Sequence, residues 1–162
     1  MKRKIWITIT IIWVAFIFYN STRTGYESSN ASGIFVNTLN FLLNKININI
    51  DLNTLSLIIR KGAHFFEYFI LAIFSYNIVK TYDFKKGKIL YDKVSIFSYL
   101  IVLIFCVLIA ASDEFVQGFI SGRARSLFDV VIDFLGSFFA IFSIIIFNLK
   151  KIKSTLNNKQ NL

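Results

Sequence analysis

Apolar residues run through this chain in four long stretches with polar residues gathered at their edges. The stretches are residues 5–19, 64–82, 94–111 and 127–149. A hydrocarbon core about 30 Å thick needs roughly 20 apolar residues in a helix, so the pattern predicts four membrane-spanning helices. The first is short and is extended by residues 20–22 at the interface. Between the first two spans, residues 20–25 read as polar loop. Residues 31–43 then carry Ile34, Phe35, Leu39, Leu42 and Leu43 at helical intervals among Asn37, Thr38 and Asn40. That spacing predicts a short amphipathic helix lying on the outer membrane surface. Residues 46–50 alternate apolar residues with Asn and read as extended. Asp51 or Asn53 is placed to cap the helix entering the second span, and Ser126 to cap the fourth. The predicted fold is an all-α integral membrane protein, one domain over residues 1–162, with four transmembrane helices and an outer-loop amphipathic helix. The basic tail, residues 150–162, is expected to be cytoplasmic and frayed.

Composition agrees with this pattern. The chain is 56% hydrophobic over 162 residues and has no proline. That is more apolar surface than a soluble domain of this size hides, and nothing interrupts the helices. Charge orients the spans. Lys2, Arg3 and Lys4 precede the first; Lys80, Lys85, Lys86, Lys88 and Lys93 separate the second and third; Lys150, Lys151, Lys153 and Lys159 follow the fourth. Positively charged flanks stay in the cytoplasm, so both termini and the middle loop are expected there, with the first and third loops outside. The net charge of +9 is accounted for by these flanks, so no nucleic-acid partner is expected; the bilayer is the predicted partner. The first apolar run is bulky, with Trp6, Trp13, Phe16 and Phe18, and lacks a small-x-small site at its end. It reads as a retained anchor rather than a cleaved signal. The lone Cys106 excludes an internal disulfide and reads as packing.

Against this background the ionisable residues at the span ends carry the most information. His64 and Glu67 open the second span, Asp113, Glu114 and Gln117 close the third, and Arg123, Arg125, Asp129 and Asp133 lead into the fourth. Charge at membrane depth is costly and marks function by default, and the predicted topology puts this whole set on one side. Lys61, His64, Glu67, Tyr68 and Leu71 follow steps of three and four, hence one helix face. Asp113 and Gln117 share a face; Gly118 and Gly122 bracket a turn; Asp129 falls at N3 if Ser126 caps; Gly136 permits close helix approach. The candidate ligand-binding residues are Lys61, His64, Tyr68, Asp113, Glu114, Gln117, Arg123, Arg125, Asp129 and Asp133. His64, Asp113, Gln117, Arg123 and Asp129 are expected to line one outward-opening cavity, with Glu67 and Asp133 as its floor. A plainer reading pairs Arg123 and Arg125 with Asp129 and Asp113 as a structural clasp. The acids and bases present exceed what a clasp requires.

Several chemistries are open to such a set. Arginine forks suit the phosphate of a lipid headgroup. An enzyme would use His64 as general base, Glu67 or Asp113 to orient it and Arg123 to stabilise anionic charge. A metal set of His64, Glu67, Asp113 and Glu114 is disfavoured because nearby Lys and Arg compete for the carboxylates, so no metal and no cofactor is expected. A transporter is least favoured, because the polar groups cluster at one end instead of midplane.

At these residues the chain resembles the VanZ-like family of small bacterial membrane proteins, named for a protein associated with teicoplanin resistance. The resemblance lies in the Lys61-Gly-Ala-His64-Phe-Phe-Glu-Tyr68 run and in Asp113-Glu114-Phe-Val-Gln117-Gly. It continues through Gly122-Arg123 and Asp129-x-x-x-Asp133-x-x-Gly136, and the serines and threonines around Ser21 also fit. It covers roughly residues 5–147. Two positions depart: Asp133 stands where the family has asparagine, and the proline before the arginine is missing. The resemblance implies a multi-pass bacterial cell-membrane protein that lowers susceptibility to teicoplanin and related lipoglycopeptides. Its implied partner is a lipid-linked cell-wall precursor or the lipoglycopeptide itself.

Overall fold

The computed structural model describes residues 2–82, 89–91 and 94–160. Among these residues five helices follow one another: α1 (Lys2–Thr22), α2 (Gly25–Lys45), α3 (Leu52–Val79), α4 (Ile96–Gln117) and α5 (Leu127–Gln160). A minimal antiparallel pair, β1 (Ile89–Tyr91) with β2 (Val94–Ser95), precedes α4. At about 1.5 Å per residue, the 21 residues of α1 and the 22 of α4 each match a hydrocarbon core.

Among the described residues three helices are long and apolar enough to cross a membrane: α1, α4 and the Leu127–Lys150 part of α5. The expected second span is absent from that set. Its helix, α3, has the length, at 28 residues, but Arg60, Lys61, His64 and Glu67 interrupt its apolar run. α3 is the central helix, packed against α1, α2, α4 and α5, so its polar face is turned into protein.

The bundle is apolar outside and partly polar inside. Ile11 is 63% exposed, Leu108 61% and Phe147 69%, while Thr10, Ser75, Ser98, Ser137 and Asn148 are buried. The core joins Ile17, Tyr68, Leu71, Ala72, Val102, Cys106, Ala110 and Ala140. Small residues at the contacts let the helices approach, as membrane packing requires. At Gly136 a Cβ would collide with the backbone carbonyl of Phe65 on α3, so hydrogen alone fits between α3 and α5.

Several expected boundaries move. α2 begins at Gly25, well before residue 31, because Thr24 caps it. The Thr24 hydroxyl accepts from the Glu27 N–H at 3.2 Å, and the Glu27 carboxylate accepts from the Thr24 N–H at 2.9 Å. This reciprocal box ends the loop predicted for residues 20–25 at two residues. Asp51 caps α3 as expected, accepting from Asn53 and Thr54 N–H. The stretch read as extended at 46–50 instead opens with a turn, Asn47 at φ 58°, followed by irregular chain. The tail predicted to fray is helical through Gln160, since no Gly or Pro stops it. Of the middle loop, Lys85, Lys86, Lys88 and Lys93 lie outside the described residues.

Both ends of the bundle are tied by contacts between distant segments. At one end Arg3 lies 5.1 Å over the Tyr82 ring, and the Asn148 amide donates to the hydroxyls of stacked Tyr76 and Tyr99. The opposite end gathers the C-termini of α1 and α4, the start of α2, the first half of α3 and the start of α5.

Candidate functional site

That second end is closed by backbone before side chains enter. The Gly25 N–H donates to the Ser121 carbonyl at 3.3 Å, and Gly122 makes the turn at φ 74°. The 118–126 connection is thereby pinned to the start of α2. Ser126 caps α5 as predicted, its hydroxyl accepting from the Asp129 N–H. The carboxylate completing that cap comes from another helix: Glu114 accepts the Ser126 N–H at 2.8 Å. Asp129, free of that duty, pairs with Lys61 of α3.

The polar residues then form two tiers. The upper tier is a cavity of about 280 Å³ lined by Asn20, Arg23, Ser28, Ser32, Phe35, Ile59, Arg60, Ala63, His64, Glu67 and Arg123. Arg23 follows α1, Arg60 belongs to α3 and Arg123 to the α4–α5 connection, and none of the three forms an ion pair among the described residues. Arg123 donates to the Asn20 carbonyl at 3.1 Å and its Nε is buried without a partner. Burial and the neighbouring Arg60 guanidinium hold Arg123 below the usual arginine pKa, so a bound anion would relieve both. Glu67 is the cavity's carboxylate; it accepts from the Asn20 amide at 2.7 Å, while its backbone carbonyl accepts from the Trp13 indole at 2.9 Å.

The lower tier is buried. Asp113 and Asp133 are both 0% exposed. Asp113 accepts from the Ser21 hydroxyl of α1 and, at 2.8 Å, from the Gln117 amide one turn along α4. Asp133 has no hydrogen-bond partner on either oxygen, and the Tyr68 hydroxyl beside this set also lacks one. His64 joins the tiers: it faces the cavity, and its Nδ1 lies 3.8 Å from both Glu67 Oε2 and Asp133 Oδ1. Those separations are beyond hydrogen bonding.

The expected single cavity is therefore divided. His64 and Arg123 line it with Glu67, whereas Asp113 and Gln117 lie in the buried tier with Asp133 and Tyr68. Lys61 and Asp129 pair to one side, and Glu114 serves the α5 cap. Arg125 stands apart, its guanidinium 4.7 Å from the Phe115 ring and 4.9 Å from Phe119. The clasp of Arg123 and Arg125 with Asp129 and Asp113 does not form, because Lys61, Ser21 and Gln117 reach those carboxylates instead. Two carboxylates flank the His64 imidazole, and neither is hydrogen-bonded to its Nδ1.

The sequence reading did not single out Asn20, Arg23, Ser28 or Ser32 as site residues. Two signals were present: the Thr24-x-x-Glu27 capping box, which starts α2 early, and Ser28 with Ser32 at i and i+4 on one face of that helix.

Residues 6–148 match the VanZ/LLP1 family, nearly the whole chain, and the chain belongs to that family. No curated protein and no solved structure matches it significantly.

Proposed function

We propose that this VanZ/LLP1 membrane protein holds the anionic headgroup of a lipid-linked cell-wall precursor at the outer face of the bacterial cell membrane. By doing so it lowers susceptibility to teicoplanin and related lipoglycopeptides. The observation that carries the reading is the convergence of Arg23, Arg60 and Arg123 with His64 on one cavity of about 280 Å³. Guanidinium forks suit phosphate oxygens in a bidentate way. The volume is just below the ~300–1,000 Å³ usual for small-molecule sites, so it suits a headgroup rather than a whole lipid. Phe35, Ile59 and Ala63 in the lining offer apolar surface for the first carbons of the tail.

The orientation belongs to the same proposal. Lysine bias at the termini and middle loop keeps those segments in the cytoplasm, which turns the cavity outward with α3 as a fourth crossing and α2 on the outer surface. Exposed Tyr26, Ile34, Phe35 and Phe41 on α2 suit an interfacial helix.

The test is binding to purified protein in nanodiscs, comparing a polyprenyl pyrophosphate with a neutral polyprenol. The pyrophosphate should bind at least tenfold more tightly, and Arg123→Lys, which keeps charge but loses the fork, should weaken it. Equal binding of both lipids would defeat the reading. The enzymatic alternative, with His64 as general base, draws on the two carboxylates flanking the imidazole; it requires headgroup release from the precursor, measured on the same preparation.

A further inference from the structure

The lower tier poses a problem in electrostatics. Asp113 and Asp133 are wholly buried, and among the described residues neither forms an ion pair with a lysine or arginine: Lys61 pairs with Asp129, and Arg123 donates to the Asn20 carbonyl. Asp113 has two donors; Asp133 has none on either oxygen. A buried carboxylate without a partner either stays protonated or is compensated by an ion.

Geometry separates these choices. One ligand atom each from His64, Asp113 and Asp133 can be selected so that all lie within 4.8 Å of one another. The His64 Nδ1 to Asp133 Oδ1 separation is 3.8 Å, too long for a hydrogen bond. It is close to the ~3.4 Å between neighbouring ligands on a tetrahedral ion with bonds near 2.1 Å. His64 Nδ1 is itself buried without a hydrogen-bond partner, so an imidazole nitrogen and a free carboxylate face one another across a gap of ion size.

We propose that His64, Asp113 and Asp133 form a divalent-cation site beneath the cavity, selective for a transition ion such as Zn²⁺ or Mn²⁺. The imidazole nitrogen favours these ions over Ca²⁺ and Mg²⁺, which take all-oxygen sets. Two carboxylates balance the ion's charge, so the buried set becomes neutral as a whole. Glu67 Oε2, also 3.8 Å from His64 Nδ1, is placed to contribute from the cavity side. The ion enters past His64, whose side chain lines the cavity. Among the described residues no arginine or lysine forms an ion pair with Asp113 or Asp133. The site shares His64 with the cavity above it, but its test contains no lipid ligand, so either reading can fail without the other.

The test uses the full-length protein in detergent, stripped with chelator and equilibrated with Zn²⁺ or Mn²⁺ alone. Elemental analysis should find one ion per chain, and the ion should raise the melting temperature. Asp133→Asn preserves shape and should weaken binding by roughly tenfold or more, abolishing the melting shift. Bound Mn²⁺ in the wild-type protein should show magnetic coupling to an imidazole nitrogen, a readout that needs no variant to fold. No ion in the wild-type protein, no imidazole coupling, or unchanged binding by folded Asp133→Asn would each overturn the proposal and leave a protonated Asp133 in its place.

Discussion

Asp113 illustrates how individual residues are held at the polar end. Its carboxylate accepts from Ser21 on one helix and Gln117 on its own, so the buried charge is shared between donors. Ser21→Ala removes one donor and should cost about 1–3 kcal/mol, the usual penalty for leaving a buried polar group short of a partner. Thermal unfolding in detergent measures it. An unchanged melting temperature would mean that Gln117 suffices. At this scale the sequence revealed which residues gather, since carboxylates, His64 and Arg123 stand at span ends. It did not reveal who pairs with whom. Lys61 and Asp129 are 68 positions apart, and only the folded helices decide that Lys61, rather than an arginine, meets that carboxylate. Arg125 shows the same limit: the sequence gives its charge, and only the folded chain puts its guanidinium over Phe115 and Phe119.

The helices were legible where apolar residues dominate and less so where local capping decides. α1, α4 and α5 follow the hydropathy pattern within a few residues at most ends, but α2 begins with a capping box invisible to a hydrophobic scan. That box makes α2 pH-sensitive at its start. Hydrogen bonds from the Thr24 N–H and hydroxyl hold Glu27 below its usual pKa of 4.5. A lowered folded pKa adds stability above the unfolded value and loses it as pH falls through the folded one. Hydrogen-exchange protection of the first turn of α2 should therefore be full at neutral pH and decline below about pH 4.5. Thr24→Ala should remove about 1 kcal/mol of helix stability and blunt that pH dependence. Protection that ignores pH would contradict this assignment. At the α3–α5 contact, Gly136→Ala should destabilise by about 1–3 kcal/mol through overpacking, because the obstructing atom is the Phe65 backbone carbonyl. A melting curve like that of wild type would show that the two helices can separate without cost.

For the molecule as a whole, the proposed arrangement puts the basic segments in the cytoplasm and turns the arginine-lined cavity outward. The central position of α3 is the part least visible in the sequence, because a helix surrounded by protein need not be apolar on every face. With Cys106 replaced, a cysteine at Lys86 should resist an impermeant reagent in whole cells, whereas one at Tyr26, 77% exposed on α2, should react. Reversed labelling would invert the topology and remove the cavity from the outer leaflet. The most direct test of the functional account is teicoplanin susceptibility measured beside membrane abundance in cells producing wild-type, His64→Ala, Arg123→Ala or Arg123→Lys protein. A ligand-holding cavity predicts normal abundance with protection lost in both alanine variants and impaired in Arg123→Lys, where charge persists without the planar fork. Full protection from stable, normally abundant His64→Ala and Arg123→Ala proteins would contradict the account.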